Sequence, residues 1–328
     1  AMERFFLRST SRLTGKSVRP WGVRQVLLET EGLWDEAEKA EVLLTAAAVE
    51  PAVEDDMRGD GKATVTAANA VEPRLWRPDP LVRDGLLPLL LRLVEWDVER
   101  FWDGTDTVRC GKKEVWDLGS GAGRDVCFLA EEARDYHSRI LGRCSRLRCD
   151  GSAEPEPPFS LHFVGMDWHK SSPKRCLPFW ERRRVADITE SCLMDLEKFD
   201  AFRERVEGCC HQICLDQIKG ETTQNNTGPL LACLYAVRYI NRRLFQYLAG
   251  RECPLPGETI FATSNFCKRD SGASWDYDHP KEKNVLERHE LRNLFTQSGQ
   301  WKILRDEITT DDDLGRPLIQ FIAMKLKV

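Results

Sequence analysis

The chain has 328 residues, of which 41% are hydrophobic and 31% are charged, and its formal net charge is −5. This composition is typical of a globular protein with a sizeable core in one or two domains, and it argues against a protein that coats nucleic acid through overall charge. No apolar run approaches the roughly 20 residues that a membrane helix needs, so we expect no membrane partner.

The first 74 residues predict a basic arm, a helix over residues 30–44 and a linker. The arm is rich in arginine and serine, as a mitochondrial transit peptide is, but we favour a structured arm. We therefore expect a cytoplasmic protein, with a mitochondrial location as the alternative.

The next part of the chain, residues 75–112, predicts a short non-helical segment followed by a lid helix. Pro78 and Pro80 restrict the segment, and the apolar spacing predicts a helix over residues 81–101 that Pro88 kinks.

The third part, residues 113–328, alternates strand and helix patterns. Strands are predicted over residues 115–118, 161–166, 184–188, 212–215 and 259–263, and helices over 124–133, 178–183, 193–206 and 230–248. This alternation predicts parallel pairing. A helix over 286–297 and strands over 301–308 and 318–325 follow, and the short turn between these strands requires antiparallel pairing. The predicted fold is α/β, with a Rossmann-like seven-stranded, mostly parallel sheet, a C-terminal antiparallel hairpin and a helical N-terminal extension.

Three polar insertions, residues 142–159, 217–229 and 267–284, are predicted to be surface loops. The last two follow predicted strands at the carboxyl edge of the sheet, where open α/β sheets bind their ligands.

The twelve cysteines are scattered, and we expect reduced thiols. Cys144 and Cys149 lack a second close pair. The group Cys209, Cys210, His211 and Cys214 is interpreted as part of a buried strand. No metal is expected.

The strongest motif is a glycine-rich loop between a strand and a helix. Asp117 precedes Gly119, Gly121 and Gly123 at the spacing of a turn whose backbone N–H groups can approach a ligand. Asp167 ends the next strand, where a carboxylate can accept both hydroxyls of a ribose. Trp168 follows it and is a candidate to pack on a base.

In the order of these motifs and in its closing hairpin, the sequence resembles the class I S-adenosylmethionine-dependent methyltransferases over about residues 114–328. Within that class it is most similar to the tellurite-resistance (TehB-like) family, because Arg124 and Asp125 follow the glycine loop and residues 287–324 resemble that family's terminal helix and hairpin.

The resemblance implies S-adenosyl-L-methionine as the cofactor. Asp117 would hold its amino end through water, Arg124 its carboxylate, Asp167 its ribose, and Asp187 with Ile188 its adenine. The remaining residues implied to contact it are Gly119, Ser120, Gly121, Gly123, Trp168, Cys214 and Leu215, the last two beside the methyl group.

The acceptor is less constrained. No Asn-Pro-Pro-Tyr or Asp-Pro-Pro-Tyr motif follows the predicted fourth strand, so we favour a small soft acceptor such as a thiol or a metalloid, which needs no strong base. Asp216 and His279 are weak catalytic candidates. Three residues are predicted to roof the acceptor pocket, namely Trp76, Arg77 and Trp275.

Two other functions stay open. The basic arm and the run of arginines at residues 182–184 favour an RNA methyltransferase, perhaps organellar in location, as the first alternative. The long insertions are compatible with a non-catalytic methyltransferase-like subunit of an assembly.

Overall fold

The computed structural model describes residues 76–102, 112–147, 157–219, 230–310 and 315–327, without the side chains of residues 144–147 and 210–219. The chain forms two compact units, Ala1–Arg77 and Pro78–Val328. Nearly all described residues belong to the second unit. The predicted arm, helix and linker of residues 1–74 lie outside the described residues.

Seven strands form a single sheet in the order β3-β2-β1-β4-β5-β7-β6. The strands are β1 (Lys113–Leu118), β2 (Leu161–Asp167), β3 (Thr189–Leu193), β4 (Leu230–Val237), β5 (Ile260–Phe266), β6 (Trp301–Thr310) and β7 (Pro317–Lys325). The first five pair in parallel, whereas β7 is antiparallel to both β5 and β6. The predicted Rossmann-like fold with its closing hairpin is confirmed.

Six α-helices lie between or before these strands in the described residues. They are α1 (Leu87–Trp102), α2 (Arg124–Leu147), α3 (Ser172–Arg182), α4 (Phe199–Lys219), α5 (Arg242–Ala249) and α6 (Glu290–Gln297). A π-helical turn, Leu81–Leu86, leads directly into α1. Pro88 has no N–H to donate, and the wider hydrogen-bond register lies just before it. The kink predicted at Pro88 stays a prediction.

Three predicted elements are wrong. Residues 184–188 form turns before β3, and residues 212–215 belong to α4 rather than to a strand. The helix predicted over residues 230–248 is instead strand β4 followed by α5. The interior of β4 is buried throughout. A central strand that is covered on both faces has a continuous apolar run, and periodicity does not distinguish such a run from a buried helix.

Buried aromatic and charged contacts hold the layers together. Phe261 on β5 stacks on Phe295 of α6 with centroids 4.9 Å apart, which packs the last helix against the hairpin side of the sheet. Arg183 and Glu131 form a buried ion pair at 2.5 Å between α2 and the end of α3. Within the described residues, no helix has the length and apolar character to cross a membrane.

Candidate active site

The loop from β1 to α2 bends at three glycines with positive φ angles, 91° at Gly119, 57° at Gly121 and 70° at Gly123. A residue with a Cβ atom adopts this left-handed region only at an energetic cost, so glycine is favoured at all three positions.

The surroundings of these glycines differ. A Cβ atom added to Gly123 would lie 2.6 Å from the Trp180 ring, and one added to Gly119 would lie 3.0 Å from Tyr239. A Cβ atom on Gly121 would meet no atom within 4 Å. The loop is therefore packed against protein at both ends and faces open space in its middle.

Hydrogen bonds fix the loop in this conformation. The N–H groups of Gly119 and Ser120 donate to the Met166 carbonyl at 2.8 and 3.0 Å, and the Trp180 ring N–H donates to the Gly123 carbonyl at 2.9 Å. The Ser120 hydroxyl is buried and has no hydrogen-bond partner among the described residues.

Asp167, at the end of β2, contacts the open middle of the loop. Its Oδ2 accepts a hydrogen bond from the Gly121 N–H at 2.8 Å, and its Oδ1 accepts one from the His169 N–H at 2.7 Å. The next side chain, Trp168, is 67% exposed. The sequence predicted that this carboxylate and the loop would meet, and the structure places them in direct contact.

A second group of carboxyls lies beside the loop, with Asp117 before it and Asp125 after it. Burial, followed by the charge of Asp125, raises the pKa of Asp117 well above its usual value. Burial and the charge of Asp79 raise the pKa of Asp125 to about 7. The Asp79 N–H also donates to Asp125 Oδ1 at 3.3 Å. Near neutral pH this side of the site therefore carries less negative charge than its residue types suggest.

The placement predicted for Asp187 and Ile188 is wrong. Both precede β3, at the amino edge of the sheet, and Asp187 forms an exposed ion pair with Arg134 at 2.7 Å that lowers its pKa. The acid that follows the carboxyl end of β3 is Asp195, which accepts a hydrogen bond from the Glu197 N–H at 3.1 Å. Sequence reasoning missed it because Asp195 falls inside the helix predicted over residues 193–206.

The placement predicted for Cys214, Leu215 and Asp216 is also wrong, because all three lie in α4, where their side chains are outside the described residues. The fourth strand of the sheet, to which the sequence analysis assigned them, is β4 at Leu230–Val237. The residues after its carboxyl end are Arg238 and Tyr239. Sequence reasoning missed this pair because it assigned residues 230–248 to a helix.

The third insertion reaches the same edge of the sheet. The Trp275 ring lies 6.1 Å from that of Phe266, the last residue of β5, and its ring N–H donates to the Pro280 carbonyl at 2.8 Å. His279 is exposed, and its carbonyl accepts a hydrogen bond from Arg316 at 3.1 Å. Trp76 and Arg77 end the first unit, and their role as a roof stays a prediction.

Among the described side chains, no group of three or more histidine, cysteine, aspartate and glutamate residues is arranged to hold a metal ion. The cysteines described are free thiols, namely Cys127, Cys176, Cys192, Cys209, Cys233, Cys253 and Cys267. The side chains of Cys144, Cys149, Cys210, His211 and Cys214 lie outside the described residues.

Comparison with known proteins assigns no family. No family profile matches the sequence, and no curated protein matches it. Among solved structures, the cyclase SpnF is 12% identical with a TM-score of 0.40, covering 73% of this chain and 81% of its own. An O-methyltransferase from Bacillus cereus is 11% identical with a TM-score of 0.36, covering 92% and 96%. TehB from Haemophilus influenzae is 12% identical with a TM-score of 0.34, covering 65% and 57%. The assignment of the fold therefore rests on the strand order observed in this chain's own sheet.

Proposed function

We propose that this chain binds S-adenosyl-L-methionine and transfers the methyl group to a small soft acceptor, such as a thiol or a metalloid compound. The observation that supports it most is the contact between Asp167 and the Gly121 N–H beside open space, at the carboxyl edge of a sheet with this strand order.

The residues present fit this cofactor. A carboxylate has about four acceptor positions, and backbone N–H groups occupy two of those on Asp167, which leaves two for the hydroxyls of a ribose. The exposed ring of Trp168 offers an apolar face for adenine, and Asp195 offers an acceptor for its amino group. The buried Ser120 hydroxyl has no hydrogen-bond partner among the described residues, and the cofactor would supply one. The guanidinium of Arg124 carries the positive charge that matches the carboxylate of the cofactor.

The cofactor supplies a sulfonium methyl group as the electrophile. The protein's part is then mainly positioning, which can contribute roughly 7–11 kcal/mol to lowering a barrier. The bend at Gly119–Gly123 admits a ligand against the backbone, and Tyr239 packs behind it.

One observation favours the small acceptor over RNA. Of the arginines at residues 182–184, Arg183 is buried in its ion pair with Glu131 and is only 9% exposed. That run therefore presents less charge to a phosphate backbone than the sequence suggests.

Titration calorimetry tests the proposal. The wild-type chain should bind S-adenosylmethionine and S-adenosylhomocysteine. Asp167→Ala should weaken binding about 10- to 100-fold, because hydrogen bonds to a charged group are lost. Asp187→Ala is the matched control and should bind like the wild type, since Asp187 lies at the opposite edge of the sheet. Wild-type protein that binds neither compound would favour the non-catalytic subunit instead.

A further inference from the structure

The turn that follows β4 is strained and lies against the glycine loop. Arg238 has a φ angle of 57°, a left-handed angle that a residue with a Cβ atom adopts only at an energetic cost. The next residue, Tyr239, packs so closely on the loop that a Cβ atom added to Gly119 would lie 3.0 Å from its ring. Strained backbone of this kind persists only where surrounding contacts hold it, so the contacts of this turn identify the residues that position Tyr239.

A buried asparagine on the neighbouring strand contacts this turn. Asn265, near the carboxyl end of β5, is fully buried, and its Nδ2 donates to the Tyr239 carbonyl at 3.0 Å and to the Thr263 hydroxyl at 2.5 Å. The Thr263 hydroxyl donates its own proton to the Ala236 carbonyl at 2.8 Å, so its oxygen is left to accept from Asn265. Both N–H groups of the amide are thereby used, and the orientation of the amide is fixed.

The oxygen of the same amide is left unsatisfied. Among the described residues, no donor reaches Asn265 Oδ1, which is buried. The residue paired with Asn265 on β7 is Ile319, whose side chain lies on the same face of the sheet and belongs to the hydrophobic core. Packing alone would therefore favour an apolar residue at position 265, because a buried acceptor without a partner lowers stability. The amide provides what an apolar residue would not, namely the hydrogen bond that holds Tyr239.

The side chain of Tyr239 is held as well as its backbone. Asn241 Nδ2 donates to the Tyr239 phenol oxygen at 3.3 Å and to the Leu196 carbonyl at 2.9 Å. Two asparagines therefore fix Tyr239, one on β5 through its carbonyl and one at the start of α5 through its phenol oxygen. Support of this kind keeps a binding site in its productive geometry before the ligand arrives.

We propose that Asn265 is a positioning residue of the cofactor site. It holds the turn after β4 so that Tyr239 supports the glycine loop at Gly119, and with it the Gly121 N–H that donates to Asp167. That this loop binds S-adenosylmethionine rests on the proposed function. The hold on the turn does not, because it can be measured in the chain without any ligand.

Hydrogen exchange in the ligand-free full chain tests the hold on the turn. The Arg238 N–H donates to the Ser264 carbonyl at 2.8 Å and should exchange slowly in the wild type. In Asn265→Leu it should exchange about 10-fold faster, because the turn opens locally once it is released. Thr259→Val is the matched control and should leave this rate unchanged, since Thr259 is buried at the other end of β5 and donates to backbone carbonyls there. Equal rates in the wild type and Asn265→Leu would overturn the proposal.

Titration calorimetry with S-adenosylhomocysteine tests the consequence for the cofactor site. Asn265→Leu should bind about 10-fold more weakly than the wild type, whereas Thr259→Val should bind like it. Urea unfolding of both variants shows whether a loss of affinity only follows a loss of stability. An affinity of Asn265→Leu equal to that of the wild type, or an equal loss of affinity in the two variants, would contradict a positioning role.

A second substitution in the turn tests strain as the link. Arg238→Gly should reduce the effect of Asn265→Leu on exchange and on binding, because glycine adopts the left-handed angle without the cost that Asn265 offsets. An effect of the same size in both backgrounds would contradict this link. If Asn265→Leu does not fold, Asn265→Ala adds no bulk and is read by the same outcomes.

The two measurements separate this inference from the proposed function. If the wild type does not bind S-adenosylhomocysteine but Asn265→Leu exchanges faster, the proposed methyl transfer fails and the hold of Asn265 on the turn stands. If the wild type binds S-adenosylhomocysteine but exchange is unchanged in Asn265→Leu, the proposed function stands and the positioning role fails.

Discussion

Alanine substitutions at two glycines of the same loop should differ in their cost to stability and in their effect on ligand binding. Gly121 and Gly123 both have left-handed backbone angles, 57° and 70°. A Cβ atom on Gly121 would enter open space, whereas one on Gly123 would lie 2.6 Å from the Trp180 ring and 2.9 Å from the Cys176 sulfur. The two variants therefore share the backbone strain and differ in what the added methyl group meets.

The expected magnitudes follow from these surroundings. Left-handed backbone costs a residue with a Cβ atom roughly 1–2 kcal/mol, and this is the whole loss of stability expected for Gly121→Ala. Forcing a methyl group against a packed ring adds about 1–3 kcal/mol, so Gly123→Ala should lose about 2–5 kcal/mol. Gly121→Ala should nevertheless bind S-adenosylhomocysteine more weakly by at least about 10-fold, because its methyl group occupies the space assigned to the ligand.

Urea unfolding measures the free energy of unfolding, and calorimetry at a temperature where both variants are folded measures the affinity. The reasoning fails if Gly121→Ala binds the nucleoside as the wild type does, since the open space at this glycine would then not belong to the ligand. It also fails if Gly121→Ala loses as much stability as Gly123→Ala, because contact with Trp180 would then not account for the difference.

Three further predictions concern stability. Folding raises the pKa of Asp125 from 3.8 to about 7, so its protonated form favours the fold; this contribution is complete below about pH 4 and is lost as the pH rises through 7. Asp125→Asn should therefore gain at least about 1 kcal/mol relative to the wild type between pH 5 and pH 8 in urea unfolding, and no relative gain would contradict the raised pKa. Glu131→Ala should cost about 3–5 kcal/mol because it leaves the Arg183 charge buried without its carboxylate, whereas replacing both by apolar residues should cost much less. Asn241→Ala should cost about 1 kcal/mol in thermal or urea unfolding, since Asn241 Oδ1 caps α5 by accepting from the Leu244 N–H at 3.0 Å, and an unchanged free energy would argue against this cap.

Local patterns determined much of the fold and the first half of the site. The loop at Gly119–Gly123 needs left-handed angles that glycine adopts most readily, and it connects a strand to a helix in the chain itself. Asp167 ends an adjacent strand, so the parallel sheet brings it to the loop. The short turn between the last two strands allows only antiparallel pairing, which is why the hairpin was predictable.

Tertiary structure alone decided which acid and which strand end belong to the site. Asp187 lies in the strand predicted over residues 184–188, whereas Asp195 follows β3, and only the pairing of β3 with β2 shows that Asp195 is at the carboxyl edge. β4 is buried on both faces, so its apolar residues have no period that separates a strand from a helix. The hydrogen bond from Asn265 to the Tyr239 carbonyl joins residues far apart in the chain through neighbouring strands, and no local spacing in the sequence encodes such a contact.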